Sequence, residues 1–297
     1  ISNEYLPNAK IEICTSEFKE IHQNGTETFT AENEEFSGDI VLTTIDQVIN
    51  LITTHKKVTG LVEYMNSHVV FDEYHEYINM PAFNLLFAEL VKCKKMQGTN
   101  ANALLVSATP NYCFIEELLK IDENDIVSIE SFNTSKYKLK FQKFDEKTEN
   151  ESNPLYAKQN VNTFVISNTA ITAQKSFIEN QEKENSLLTH SKFTPQDREA
   201  IFNQVFVSFS QNGSHNFDIL RSGPVVQAAL NISCQNMISE IDIAENILQR
   251  LGRLNRFAEY DTACLKIAIT EGIKTGKQTG RAAKFLGMNF QLQSVKV

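Results

Sequence analysis

The sequence has no long apolar run. Nowhere do the roughly 20 consecutive apolar residues of a membrane-spanning helix occur, so no membrane anchor of that kind is expected. Cysteine is scarce: Cys14, Cys93, Cys113, Cys234 and Cys264 stand far apart with no CxxC pair. That spacing argues against a zinc site and a disulfide framework and fits the reduced thiols of a cytoplasmic protein. Histidine is sparse too, and His22, His55, His68, His75, His190 and His215 include no His-Asp pair backed by further histidines, so no metal-dependent nuclease centre is expected. An excess of positive charge is missing. The formal net charge of −9 denies the chain the broadly basic surface that binds nucleic acid without regard to sequence, so any such binding must be local. The N-terminus, Ile1-Ser2-Asn3-Glu4, shows neither an initiator Met nor a signal peptide, and the chain is expected to begin partway through a domain.

What is present is an ordinary soluble composition, 41% hydrophobic and 22% charged, over a length sufficient for two packed cores. Val69-Val70-Phe71 reads as the end of a buried strand and runs into Asp72-Glu73-Tyr74-His75, a DExH box. In an open α/β sheet ligands bind beyond the C-terminal ends of the strands, which places these carboxylates at a nucleotide crevice. Asp72 suits a hydrated magnesium, and Glu73 suits polarisation of a water that attacks a γ-phosphate. The competing reading is an acidic pair at a strand end with no chemistry.

Strand–helix alternation continues on both sides. Lys10 to Cys14 reads as a strand, 17–38 as an acidic loop with one helical turn, and Asp39 to Leu42 as a strand entering Thr43-Thr44-Ile45-Asp46-Gln47. Thr44 with Gln47 three residues on is a capping-box pattern, either a plain cap or a phosphate-binding helix start. A helix is expected from Pro81 to about Lys95, then a strand Ala103–Val106 emptying into Ser107-Ala108-Thr109, whose hydroxyls are in place to bond His75. Phe114 to Leu119 reads as a further helix. The polar stretch 146–160 reads as a linker between a first domain, 1–145, and a second, 161–297.

In the second domain, Val161–Ile166 reads as a strand, Ser167-Asn168-Thr169 as a cap and Ala170–Ile178 as a helix. Ser186–Thr189 and Asp218–Leu220 read as strands, Thr194-Pro195 as a helix start, and Cys264–Ile269 as the last strand. Gln249-Arg250-Leu251-Gly252-Arg253-Leu254-Asn255-Arg256 follows a helical stretch. If the helix runs on, Gln249, Arg253 and Arg256 share one face as a phosphate clamp; the alternative is an exposed basic face. Two other basic stretches, Tyr137 to Phe144 and the segment after Gly272, read as solvated surface. Gly272-Ile273-Lys274-Thr275-Gly276-Lys277-Gln278-Thr279 imitates a phosphate loop, but with three residues between its glycines and Gln278 in place of the hydroxyl.

Thr43-Thr44-Ile45-Asp46-Gln47, Asp72-Glu73-Tyr74-His75, Ser107-Ala108-Thr109 and Gln249 to Arg256 together resemble, in order, the motifs of superfamily 2 helicases. With His190-Ser191-Lys192-Phe193 and Arg198, the TT-x-DQ element is most similar to the CRISPR-associated helicase-nucleases of type I systems. The resemblance implies two RecA-like α/β domains with mostly parallel sheets, the first incomplete. It implies an ATP-dependent motor on single-stranded DNA, using ATP and magnesium, recruited by a Cascade-type surveillance complex and acting with an HD nuclease domain outside this chain. Carried over by residue, Asp72 holds magnesium and Glu73 is the base. His75, Ser107 and Thr109 couple the nucleotide to the strand, and Gln249, Arg253 and Arg256 meet the triphosphate. Thr43, Thr44, Asn168 and Thr169 touch the nucleic-acid backbone.

The family's phosphate loop has no counterpart between Ile1 and Asp72, so the fragment alone is expected to hydrolyse ATP poorly. Its motif V offers Thr-Gln, then Glu, then Asp, where this sequence has Gly223-Pro224, Gln227 and Asn231. Rival readings are another superfamily 2 helicase, a restriction-type translocase, or a catalytically silent binding module.

Overall fold

A computed structural model describes residues 6, 8–16, 19–24, 26–29, 36–53, 58–78, 81–97, 101–145, 147–227 and 230–270. They fall into two units that divide between Ser128 and Ile129. The segment after Gly272 lies outside the described residues.

In the first unit, strands β1 (Ile11–Cys14), β2 (Lys19–Gln23), β3 (Thr26–Phe29) and β4 (Ile40–Thr43) form one sheet of order β3-β2-β1-β4. β2 and β3 occupy part of the expected acidic loop. Their weak apolar alternation hides them, and pairing with β1 and with each other stabilises them. These pairings are antiparallel and only β1–β4 is parallel, so this sheet is mixed, unlike the mostly parallel one expected. β5 (Val69–Phe71) and β6 (Ala103–Leu105) pair in parallel as a second small sheet.

The turn back to β4 is pinned from inside. Glu12 on β1 is fully buried, and its carboxylate accepts the backbone N–H groups of Phe36 and Ser37, each at 2.8 Å, and of Gly38 at 3.0 Å. Three such bonds replace the carboxylate's lost hydration. Gly38 is needed there because a Cβ would lie 2.9 Å from that of Glu12.

Helices α1 (Ile45–Thr53), α2 (Val58–Asn66), α3 (His75–Ile78) and α4 (Pro81–Met96) complete the first unit, with a π-helical turn over Phe114–Leu119. Val48, Leu51, Phe71, Phe87, Leu90 and Phe114 join in one core, where each large side chain contributes roughly 1.5–3 kcal/mol. Lys94 is buried within it. Its ammonium donates to the carbonyls of Tyr64, Met65 and Ser67, closing the C-terminal end of α2 where free carbonyls collect.

The second unit holds six strands, all parallel, in the order β7-β12-β11-β8-β10-β9. They are β7 (Lys136–Phe144), β8 (Thr163–Ile166), β9 (Ser186–Thr189), β10 (Ile219–Ser222), β11 (Asn236–Glu240) and β12 (Thr262–Thr270), interleaved with α5 (Ala170–Asn180), α6 (Pro195–Phe209) and α7 (Ala244–Leu251). Phe164, Ile166, Leu220, Met237 and Ile267 build the core. Thr194 caps α6 by accepting the Asp197 N–H at 3.2 Å, with Pro195 as the first helical residue.

The expected boundary over 146–160 is not where the compact units divide. β7 pairs along its whole length with β12, and Leu155 and Tyr156 are buried against Val165, Ile219 and Ile238. Arg221, fully buried on β10, straps this segment down. Its guanidinium pairs with Glu184 and donates to the carbonyls of Leu155 at 2.8 Å and Ala157 at 3.0 Å. Polar composition suggested a linker, but here the polar groups bond inward.

Among the described residues no helix is long and apolar enough to cross a membrane.

Candidate functional site

Two groups of side chains lie where the sequence placed its motifs, one in each unit. In the first unit β5 ends at Phe71, and the chain turns sharply because Glu73 adopts a left-handed backbone with φ 47°. The Tyr74 N–H bonds the Val106 carbonyl at 3.3 Å and Tyr74 is buried, which leaves Asp72 and Glu73 exposed at the strand's C-terminal end. Among the described residues only Oδ1 of Asp72 is engaged, by the Glu73 N–H at 3.1 Å. One open carboxylate suits a cation that keeps its waters and takes few protein ligands, as magnesium does. Among the described residues no group of three or more His, Cys, Asp or Glu could form a closed metal site.

His75, buried at the start of α3, lies with Nδ1 2.7 Å from Ser107 Oγ and 3.3 Å from a Glu73 carboxylate oxygen. The expected link between DExH box and SAT triplet is thus present at His75 and Ser107. Thr109 joins it differently: its backbone N–H, not its hydroxyl, bonds Ser107 Oγ at 3.0 Å. Thr43 and Thr44 sit at the junction of β4 and α1, where the Thr44 carbonyl accepts the Gln47 N–H at 3.0 Å and Thr44 is exposed.

In the second unit the arginine stretch departs from the expected single helical face. α7 stops at Leu251: the Gly252 N–H still makes a helical bond to the Leu248 carbonyl at 3.0 Å, but the N–H groups of Arg253 and Leu254 turn to the carbonyls of Arg250 and Leu251, three residues back, at 2.9 Å each. Asn255 then takes a left-handed backbone with φ 49°. Gln249 is on the helix; Arg253 and Arg256 are on the turns after it. Arg253 is largely buried, and its carbonyl accepts the Cys234 N–H at 3.1 Å. Arg256 donates from Nε to Asn231 Oδ1 at 2.8 Å and from Nη1 to the Gly252 carbonyl at 3.1 Å. Asn231 thus holds Arg256 through a neutral amide. The side chain of Gln227 lies outside the described residues.

Arg250 and Asn168 turn inward. Arg250 is fully buried and bonds Asp242 at 2.7 Å, Ser239 Oγ and the Glu240 carbonyl at 2.8 Å each, and Asn168 Oδ1 at 2.9 Å. The other end of the Asn168 amide donates to the Ile241 carbonyl at 2.7 Å. Both ends of that amide are therefore engaged within the protein. Thr169 is exposed and caps α5 by accepting the Thr172 N–H at 3.1 Å.

His190 follows β9 with its ring stacked on Phe193, centroids 3.9 Å apart. Its Nδ1 accepts the Lys192 N–H at 3.2 Å, and its Nε2 lies 2.9 Å from the Nε2 of the Gln174 amide. Burial holds its pKa below the ordinary value and keeps the ring uncharged. Sequence reasoning gave no role to Asp242 or Asn255; an asparagine just past a helix end was the available signal for a left-handed turn.

Residues 159–259 match a family model described as CRISPR-associated nuclease/helicase Cas3, C-terminal. Over 246 residues the chain is 25% identical to a protein of Methanocaldococcus jannaschii named as a CRISPR-associated nuclease/helicase Cas3, an alignment covering 75% of this chain and 33% of that one. The chain spans about a third of the length of this curated relative, 33%. Cas3 of T. fusca with ATP superposes with a TM-score of 0.66 at 16% identity, over 86% of this chain and 36% of that one. A chain of a CRISPR RNA-guided surveillance complex in a pre-nicking state superposes with a TM-score of 0.62 at 18% identity, over 81% and 36%. At these identities the superpositions speak for the fold, which matches that of the RecA-like domains of Cas3 helicases. The family-model match over residues 159–259 and the curated relative support a Cas3-type superfamily 2 helicase C-terminal region there.

Proposed function

We propose that the chain is the helicase part of an ATP-dependent translocase on single-stranded DNA, the motor of type I CRISPR interference. It would be recruited by a Cascade-type surveillance complex and act with an HD nuclease domain outside these residues. The observation that carries the reading is the DExH corner, where two exposed carboxylates at a strand end share a turn with a buried histidine 2.7 Å from Ser107. A structural acidic pair has no need of that link.

Magnesium, when bound, supplies positive charge beside the phosphate oxygens. Asp72 is the residue to hold it, through water. Glu73 accepts the proton of the attacking water, and its 3.3 Å approach to His75 lets a change of charge there reach Ser107. Arg253 and Arg256 supply guanidinium donors to the charge that builds on the transferring phosphoryl group, with Gln249 beside them. Thr43, Thr44 and Thr169 are the nucleic-acid contacts; Asn168 is left out because its amide is engaged. Lacking a phosphate loop, the 297 residues alone should turn ATP over poorly.

The test is ATP hydrolysis by the full-length protein with and without single-stranded DNA, alongside Glu73→Gln. Strand-stimulated turnover that drops about 10²- to 10⁴-fold in the variant is the expected result. A folded parent with no turnover would favour a silent binding module, and stimulation by RNA alone would favour another superfamily 2 helicase.

A further inference from the structure

The two arginines lie on turns, and turns need something to hold them. Asn255 sits between the arginines and is fully buried. Its side-chain amide is saturated: Nδ2 donates to Ser135 Oγ at 2.8 Å and to the Tyr260 carbonyl at 2.6 Å, while Oδ1 accepts the Tyr260 N–H at 3.1 Å. Its backbone is equally committed, since its N–H donates to the Cys234 carbonyl at 2.7 Å and its carbonyl accepts from Asn133 Nδ2 at 2.7 Å. Asn133 also bonds the Tyr137 hydroxyl at 2.9 Å, and the Ser135 N–H bonds Asn133 Oδ1 at 3.0 Å.

Asn133 and Ser135 belong to the stretch that follows directly in sequence from the end of the first unit at Ser128 and leads into β7. The arginine turn is therefore fastened to residues 133–137, chiefly through Asn255, with the Tyr137 hydroxyl donating to the Leu254 carbonyl at 3.5 Å beside it. Asparagine suits the place on two counts: it tolerates a left-handed backbone better than most residues, and its amide offers two donors and an acceptor in one plane. Aspartate would keep the backbone and lose the donors; glycine would keep the backbone and lose the latch.

We propose that Asn255 is a positioning residue that acts through Arg253 and Arg256, latching their turn to residues 133–135 and so fixing where the guanidiniums sit. This rests on the helicase reading for its catalytic consequence, though not for the latch. An interaction that matters in the transition state lowers kcat when misplaced, whereas nucleotide held elsewhere keeps its KM.

The experiment uses the full-length protein and two readouts. In ATP turnover, Asn255→Gly should lower kcat by roughly tenfold or more with KM changed less than about threefold, and should add less than about twofold to Arg256→Gln. In hydrogen exchange, which needs no turnover, Asn255→Gly and Asn133→Ala should each raise exchange in both 131–137 and 252–257. Unchanged kcat in a hydrolysing parent, full additivity with Arg256→Gln, or faster exchange confined to the substituted segment would overturn the proposal. A parent without turnover would fail the helicase reading alone, and the exchange result would still decide the latch.

Discussion

Arg250 carries a full charge with none of its surface exposed, which is tolerable only because Asp242, Ser239, Glu240 and Asn168 replace its water. Removing the arginine strands a buried carboxylate. Arg250→Met should therefore lower stability by about 3–5 kcal/mol, read as a fall in denaturant midpoint at unchanged slope, and Asp242→Leu in the same chain should return much of it. Lys94 poses the reverse problem. Burial lowers its pKa from 10.5 to about 8, so between those values the unfolded chain holds a proton that the folded chain has released. Stability contributed by this group must then rise as pH goes from about 8 to 10.5, because the cost of burying charge disappears. Comparing unfolding midpoints of the parent and Lys94→Met across that range checks it; parallel curves would refute it. Neither role is readable from residue type, since an arginine beside a phosphate and an arginine beside an aspartate look alike in sequence.

Elements with a strong period were legible and those without one were not. β5, β8 and β9 and the helices starting at Ala170 and Pro195 begin within a residue or two of where apolar rhythm and caps put them. β2 and β3 were missed because their alternation is nearly all polar, and α2 because Gly60 and a mixed face blur it. The arginine stretch was placed on or at the end of one helix because Gln249, Arg253 and Arg256 fit its spacing; the helix ends at Leu251, and the left-handed Asn255 turns the chain away. The segment before β8 was misread for a different reason: what makes it structured is Arg221, some 60 residues away in sequence. Arg221→Leu should release it, and limited trypsin digestion should then cut at the exposed Lys147 and Lys158 at least about tenfold faster than in the parent. Equal cleavage rates would show that the strap is not what holds it.

The whole chain divides unevenly. The second unit has a six-stranded parallel sheet and its own core, so residues 129–270 expressed alone should unfold in one cooperative transition. The first leaves strand residues uncovered, with Leu42 54%, Val70 63% and Leu104 58% exposed, and residues 1–128 alone should bind a hydrophobic dye and aggregate. A monomeric, dye-free first unit would contradict this. The sequence by itself determined the α/β class, the positions of the DExH and SAT motifs and the order of the motifs, because these rest on local period and residue chemistry. Only the tertiary structure decided that His75 meets the hydroxyl of Ser107 and not that of Thr109, that Arg250 and Asn168 serve each other, that the chain divides at Ser128, and that Asn255 fastens the arginine turn. Each of these depends on which distant backbone atoms are available to satisfy a buried polar group, and burial is a property of the packed chain.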